Sequence, residues 1–190
     1  MIKSVCVYCG SSASVDTSYR RLAHQVGAKI GAQKLRLIYG GGHTGLMGAV
    51  ADGALQSGGE VVGIIPHHMN KIEHPALTEL HVVDSLHTRK KMMAQQADAF
   101  VILPGGIGTL DEFFEILVWK QLALHNKPIV LFNMQSYWNP VLDLIRHVIA
   151  AQFAPANNDR LFEVITDLDQ LLPALGHESS AHFSPEDKWF

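Results

Sequence analysis

The chain has only two cysteines in 190 residues, Cys6 and Cys9. That excludes a framework of several disulfides, and two thiols alone cannot fill a structural zinc site. They form a C-x-x-C, but the redox motif of that spacing sits at a helix N-terminus. Here Cys6 lies inside an apolar run and Cys9 at its end, and helical patterning starts only near Asp16. Packing and loop geometry are therefore their expected roles. No apolar run is long enough to span a bilayer. Met1-Ile2-Lys3-Ser4-Val5-Cys6 enters a strand-like run without the layout of a signal peptide, so a cytoplasmic protein is expected. Net charge is −3 and no dense Lys/Arg run exists, which argues against nucleic acid as partner. The sequence also lacks G-x-x-x-x-G-K-[ST], H-E-x-x-H and G-x-S-x-G. A P-loop is thereby excluded, and a zincin-type metal site and a serine nucleophile are poorly supported. The eleven histidines are scattered without a carboxylate ligand set, and no metal is expected.

What is present is a globular composition, 47% hydrophobic and 17% charged. Strands are predicted over Ser4 to Cys9, Leu35 to Tyr39, Glu60 to Ile65, Phe100 to Leu103 and Ile129 to Phe132, with a short sixth at Val164 to Thr166. Helices are predicted over Asp16 to Ala32, Gly45 to Ser57, Ser85 to Ala97, Thr109 to His125, Tyr137 to Ala151 and Leu168 to Leu175. Uniformly apolar strands alternating with helices predict an α/β fold: a Rossmann-like, doubly wound parallel sheet with helices on both faces. Residues 1–175 are expected to form one nucleotide-binding domain, and 176–190 a loosely held tail. In such sheets ligands bind beyond the carboxyl ends of the strands, which is where this sequence gathers its glycine and polar clusters.

Two of these clusters carry chemistry. Pro104-Gly105-Gly106-Ile107-Gly108-Thr109-Leu110-Asp111-Glu112 joins the fourth strand to a helix. A glycine-rich strand-to-helix turn lets backbone N–H groups approach an anion, and the helix N-terminus favours negative charge. The two carboxylates, Asp111 and Glu112, are out of place in a pure phosphate cradle and point to chemistry beside it. Thr109 to Glu112 also reads as a capping box, T-x-x-E, with the helix dipole keeping Glu112 ionised. Arg89-Lys90-Lys91 offers compensating charge: Arg89 for bidentate contact with an anion, Lys90 as a point charge. The second cluster, Gly40 to Gly48, contains G-x-G-x-x-G. It follows the second strand, and the next strand ends in Ile65-Pro66-His67 without an acid, so NAD(P) or FAD is not expected. Gly48, Ala49, Ala51 and Ala54 fit tight helix packing. Met92, Met93, Phe113 and Trp119 could line a pocket for a prenyl group, but Met and aromatic residues at helical spacing are more often core. The segment Phe113 to Leu124 is apolar nearly all round, which calls for burial on a second side, by a two-fold partner.

At this point the sequence resembles a known family. Pro104 to Glu112 resembles P-G-G-x-G-T-x-x-E, Gly40 to Gly48 resembles G-G-G-x-x-G-L-M-G, and Arg89-Lys90 with Met92-Met93 resembles an R-K segment. Together these look like the LOG ("lonely guy") phosphoribohydrolases, once widely labelled lysine decarboxylases. Asp111 stands where many members have Glu. The resemblance implies a homodimer that cleaves the N-glycosidic bond of nucleoside 5′-monophosphates, cytokinin riboside monophosphates or AMP, without metal or redox cofactor. It implies Arg89 and Glu112 as the catalytic pair. Gly105, Gly106, Gly108 and Thr109 would hold the phosphate, with Ile107 in the same loop. Lys90, Asp111, Glu73, Gly41 and Gly42 would line the nucleotide site. Two other readings use the same loops: a sensing module without turnover, in which Glu112 is only a cap, and an NAD-dependent reductase.

Overall fold

A computed structural model describes residues 2–177. Its strands are β1 Ser4–Tyr8, β2 Arg36–Tyr39, β3 Val61–Pro66, β4 Glu79–Val83, β5 Ala99–Ile102, β6 Ile129–Phe132 and β7 Glu163–Ile165. Its helices are α1 Thr17–Ala32, α2 Gly45–Gln56, α3 Leu86–Gln96, α4 Ile107–Gln121, α5 Asn139–Ala150 and α6 Leu171–Gly176. All seven strands are parallel, in the order β4-β3-β2-β1-β5-β6-β7. The chain winds outward from β1 to β4, then returns to lay β5 against the other side of β1. That reversal puts the crevice of the sheet between the tips of β1 and β5, where the Gly10 N–H donates to Pro104 O at 3.0 Å.

Strand side chains alternate between two cores. Val5, Val7, Leu37, Tyr39, Val101 and Val130 pack with α1, α2 and α6 on one face. Cys6, Tyr8, Ile38, Ile64, Phe100 and Leu131 pack with α3, α4 and α5 on the other. Because Cys9 belongs to the first core and Cys6 to the second, the C-x-x-C is divided by the sheet. Both thiols are free, and burial pushes both well above the usual thiol range. Met93 and Phe113 are fully buried, and Met92 and Trp119 pack against the same core, as expected. Helices α1 and α2 cross so closely that a Cβ at Gly27 would stand 2.0 Å from Val50 O.

Most elements keep their expected bounds to within a residue or two, and the larger differences are few. Strand β4 was not expected: its Glu79, Leu80, His81, Val82 and Val83 form a half-exposed edge strand, without the uniformly apolar signature of the interior. Helix α4 begins at Ile107 and stops at Gln121, where Ala123 takes a left-handed φ of 56°. Helix α5 begins at Asn139, so Tyr137 lies in the preceding turn. Gly176 closes α6, and the remainder of the expected tail, 178–190, lies outside the described residues. Among the described residues, no helix is long and apolar enough to cross a membrane.

Candidate active site

The tips of β2, β3 and β5 bring the two motifs and the Arg89 segment to one place. Arg89 is on the first turn of α3, whose N-cap Ser85 accepts from Thr88 N–H. Its guanidinium is tied at two points: Nε donates to Ile64 O at 3.0 Å, and Nη1 donates to Glu112 Oε1 at 2.8 Å. Its Nη2 lies over Gly40, where a Cβ would sit only 1.9 Å away. Gly40 is therefore the residue that lets Arg89 reach across to α4. The two charged partners, 23 residues apart, lie in the same chain and are nearly buried, with side-chain exposures of 15% and 10%.

Glu112 is not a cap. Helix α4 takes Gly106 as N-cap, which makes Thr109 its third residue and moves Glu112 into the second turn. The expected T-x-x-E capping box is thus corrected; a reciprocal one does exist, between Asp167 and Gln170. The dipole acts mainly on the first turn, so it is not what charges Glu112. Burial pushes its carboxyl above the usual glutamate range, Arg89 pulls it back, and Asp111 adds to the rise. The Arg89 contact is what offsets the cost of ionising a buried carboxylate.

Lys90 takes the opposite side of the same α3–α4 contact. Its ammonium donates to Asp111 at 2.9 Å and meets Glu115 at 3.1 Å. Partial burial opposes its charge, but the hydrogen bonds to Asp111 and Glu115 outweigh this and raise it above the usual lysine range. Glu115 was missed in the sequence; its spacing of four from Asp111 on one helix is the signal that marks it.

The loop before α4 has two characters. Gly105 is crowded: a Cβ there would stand 2.1 Å from Thr109 Oγ1 and 2.9 Å from Gly10 N. Gly106 and Gly108 have nothing within 4 Å of the same position, and neither needs a positive φ. The fold does not require glycine at these two places, and the space above them is open. Among the described residues no side chain caps this end of α4, so its first N–H groups have no side-chain acceptor. Ile107 is 81% exposed beside them, while Thr109 is buried. A cleft of about 290 Å³ runs between the loop and the start of α5, walled by Gly105, Gly106, Leu110, Tyr137 and Trp138.

The second glycine run is differently placed. Gly41 and Gly42 are buried, and Gly42 pairs with Glu73 in an isolated antiparallel bridge. The Glu73 segment is tied down further by His74, whose N–H donates to Gly41 O at 2.8 Å and whose ring meets Asp52 at 3.1 Å. The structure thus brings Glu73, itself exposed, to this loop at the level of the backbone. Among the described residues, no three His, Cys, Asp or Glu side chains group as metal ligands.

A family model described as "possible lysine decarboxylase" matches residues 47–175. The chain is 48% identical over 177 residues to the cytokinin riboside 5′-monophosphate phosphoribohydrolase of Rhodococcoides fascians, covering 91% of this chain and 89% of that one. It is 39% identical over 153 residues to a protein of the same name from Arabidopsis thaliana, covering 80% and 72%. Among solved structures it is similar to the molybdenum cofactor carrier protein of Chlamydomonas reinhardtii, with a TM-score of 0.70 at 22% identity over 92% of this chain and 96% of that one. That last likeness is one of fold.

Proposed function

The chain belongs to this family, the LOG phosphoribohydrolases that its motifs resemble, and from that premise we propose that it hydrolyses the N-glycosidic bond of nucleoside 5′-monophosphates. The observation that carries the reading is the buried Arg89–Glu112 pair beside an open, uncapped helix N-terminus. The 5′-phosphate binds the N–H groups at the start of α4, where Gly106 and Gly108 leave room for it. Glu112 faces the ribose C1′. As the bond from C1′ to the base nitrogen lengthens, positive charge grows on the sugar, and a fixed carboxylate stabilises it or positions the attacking water. Water adds at C1′, the base leaves with a proton, and ribose 5-phosphate remains. Arg89 keeps Glu112 ionised and oriented, and Lys90 adds positive charge at the rim. The curated relatives' names favour cytokinin riboside monophosphates as substrates; AMP is the unprenylated form of the same nucleotide.

The decarboxylase wording of the family description fits these residues poorly. Pyridoxal chemistry needs a lysine free to form a Schiff base in the site. Lys90 is held by two carboxylates, and the buried Lys120, at the far end of α4, donates to Lys127 O.

Homodimerisation is part of the proposal. Helix α4 exposes Ile107 and Val118, α5 exposes Leu144, and Phe153 follows it, 86% exposed. Apolar side chains in that density are the signature of a covered face. Light scattering should return twice the mass of the chain. The function is tested by incubating the protein with isopentenyl-AMP and with AMP and separating the products. Free base and ribose 5-phosphate in equal amounts are expected. A folded protein that releases base from neither overturns the reading, and binding without release supports the sensing module instead.

A further inference from the structure

The turn between β6 and α5 does more than connect them. Gln135 and Ser136 take left-handed φ values of 51° and 60°, a conformation that non-glycine residues adopt only at a cost. The buried Asn133 holds the turn: its Oδ1 accepts from Trp138 N–H at 2.8 Å, and its Nδ2 donates to Asn139 Oδ1 at 2.9 Å. This geometry returns Tyr137 to the carboxyl edge of the sheet. Its ring meets Tyr19 edge-on, centroids 5.7 Å apart, and meets Trp138 edge-on at 4.8 Å. Its hydroxyl donates to Gly105 O at 2.7 Å.

The peptide joining Gly105 to Gly106 is trans, so its C=O and N–H point to opposite sides. With glycine on both sides, no Cβ resists rotation of that peptide plane. The Tyr137 hydroxyl therefore selects between two orientations. With Gly105 O turned to Tyr137, the Gly106 N–H turns away from it. On the other flank the loop is stopped by the Thr109 side chain and by Gly10.

We propose that Tyr137 is a positioning residue for anion binding: its hydroxyl holds the Gly105 carbonyl out of the phosphate site and keeps the Gly106 N–H, with the free N–H groups of α4, turned toward the phosphate. The proposal rests on the reading that this loop takes a 5′-phosphate. Rotated by half a turn, the same peptide would present a carbonyl oxygen to the anion. Tyr137 acts through the peptide and not on C1′, so its effect belongs to binding of the phosphate rather than to bond breaking.

The test is Tyr137→Phe in the full chain, which removes one oxygen and keeps the ring. Calorimetry with ribose 5-phosphate and with inorganic phosphate needs no turnover, and both dissociation constants should rise about tenfold. With isopentenyl-AMP, KM should rise by the same factor while kcat stays within about twofold of wild type. The melting temperature should fall by no more than about 4 °C, the worth of one hydrogen bond. Wild-type anion affinity in Tyr137→Phe overturns the proposal, as does a fall in kcat at constant KM, or a loss of anion binding that accompanies a loss of fold. A wild-type protein that binds neither anion overturns it too. Failure of the functional reading is seen separately, as wild-type anion binding without base release.

Discussion

The two glycine loops at the carboxyl edge of the sheet look alike in sequence and differ in what demands their glycines. In the Gly40–Gly48 loop the chain itself makes the demand. Gly40 lies under the Arg89 guanidinium, Gly41 and Gly45 have φ of +80° and +62°, and a Cβ at Gly48 would stand 1.9 Å from His43 O. In the loop before α4, Gly105 is crowded, but Gly106 and Gly108 have room for a side chain and unstrained backbones. The first loop is a scaffold that lets Arg89 reach Glu112. In the second, nothing in the described chain packs over Gly106 and Gly108, and that open surface is where the proposed phosphate would sit.

That contrast can be broken most forcefully at the pair the first loop supports. Glu112→Gln should lower base release at least about a thousandfold while circular dichroism remains native. Arg89→Ala should abolish it as well and, by leaving a buried carboxylate unpaired, destabilise the fold by about 3–5 kcal/mol in denaturant titration. Near-normal turnover in folded Glu112→Gln would sink the assignment.

Next in size is the exchange of one glycine from each loop for alanine. Gly45→Ala should cost at least about 2 kcal/mol, from the left-handed backbone and from a Cβ placed 2.6 Å from the Ser11 carbonyl carbon. Gly108→Ala should do the reverse: a gain of about 0.5–1 kcal/mol from better helix propensity, together with a raised KM for the nucleotide. Equal effects of the two on melting temperature would erase the distinction between the loops. Gly40→Ala falls between them, because its Cβ meets only the end of a flexible side chain. The fold should survive, Arg89 should move, and kcat should fall about tenfold or more.

The smallest effect is in the pH dependence. The carboxyl of Glu112 is raised by burial, so the acid limb of kcat should lie above the usual glutamate range and be absent from the residual activity of E112Q. In stability, a carboxyl raised in the native state contributes most below its unfolded value and loses that contribution as pH rises through the native value. The melting temperature of E112Q should therefore gain on wild type as pH rises through that window. A pH-independent difference would mean that Arg89 cancels the burial of Glu112 completely.

The interior of the fold was legible because fully covered strands announce themselves. Val5 to Tyr8, Phe100 to Ile102 and Ile129 to Phe132 are uniformly apolar, and helix-length segments separate them. Strand β4 escaped because an edge strand mixes Glu79 and His81 with Leu80 and Val82. The site was legible as motifs and not as contacts. That Arg89 and Glu112 would meet follows from α3 and α4 sharing one face of the sheet, and no local pattern states the distance. Thr109 and Glu112 have the spacing of a capping box, yet Gly106 begins the helix and gives Glu112 to Arg89. Tyr137 had no signal beyond lying near the end of a strand, since its role depends on two left-handed residues that nothing in their side chains specifies.

The division of Cys6 and Cys9 between the two faces of the sheet has a practical consequence. They are the only thiols in the chain, and each is shielded by a different layer of helices. Their separate alkylation rates under native conditions would record the opening of the two layers independently. The Cys6 rate reports on the helices that carry Arg89 and Glu112, and the Cys9 rate on α1 and α2. Slowing of Cys6 alone on addition of nucleotide would locate the rigidifying effect of substrate on one side of the sheet.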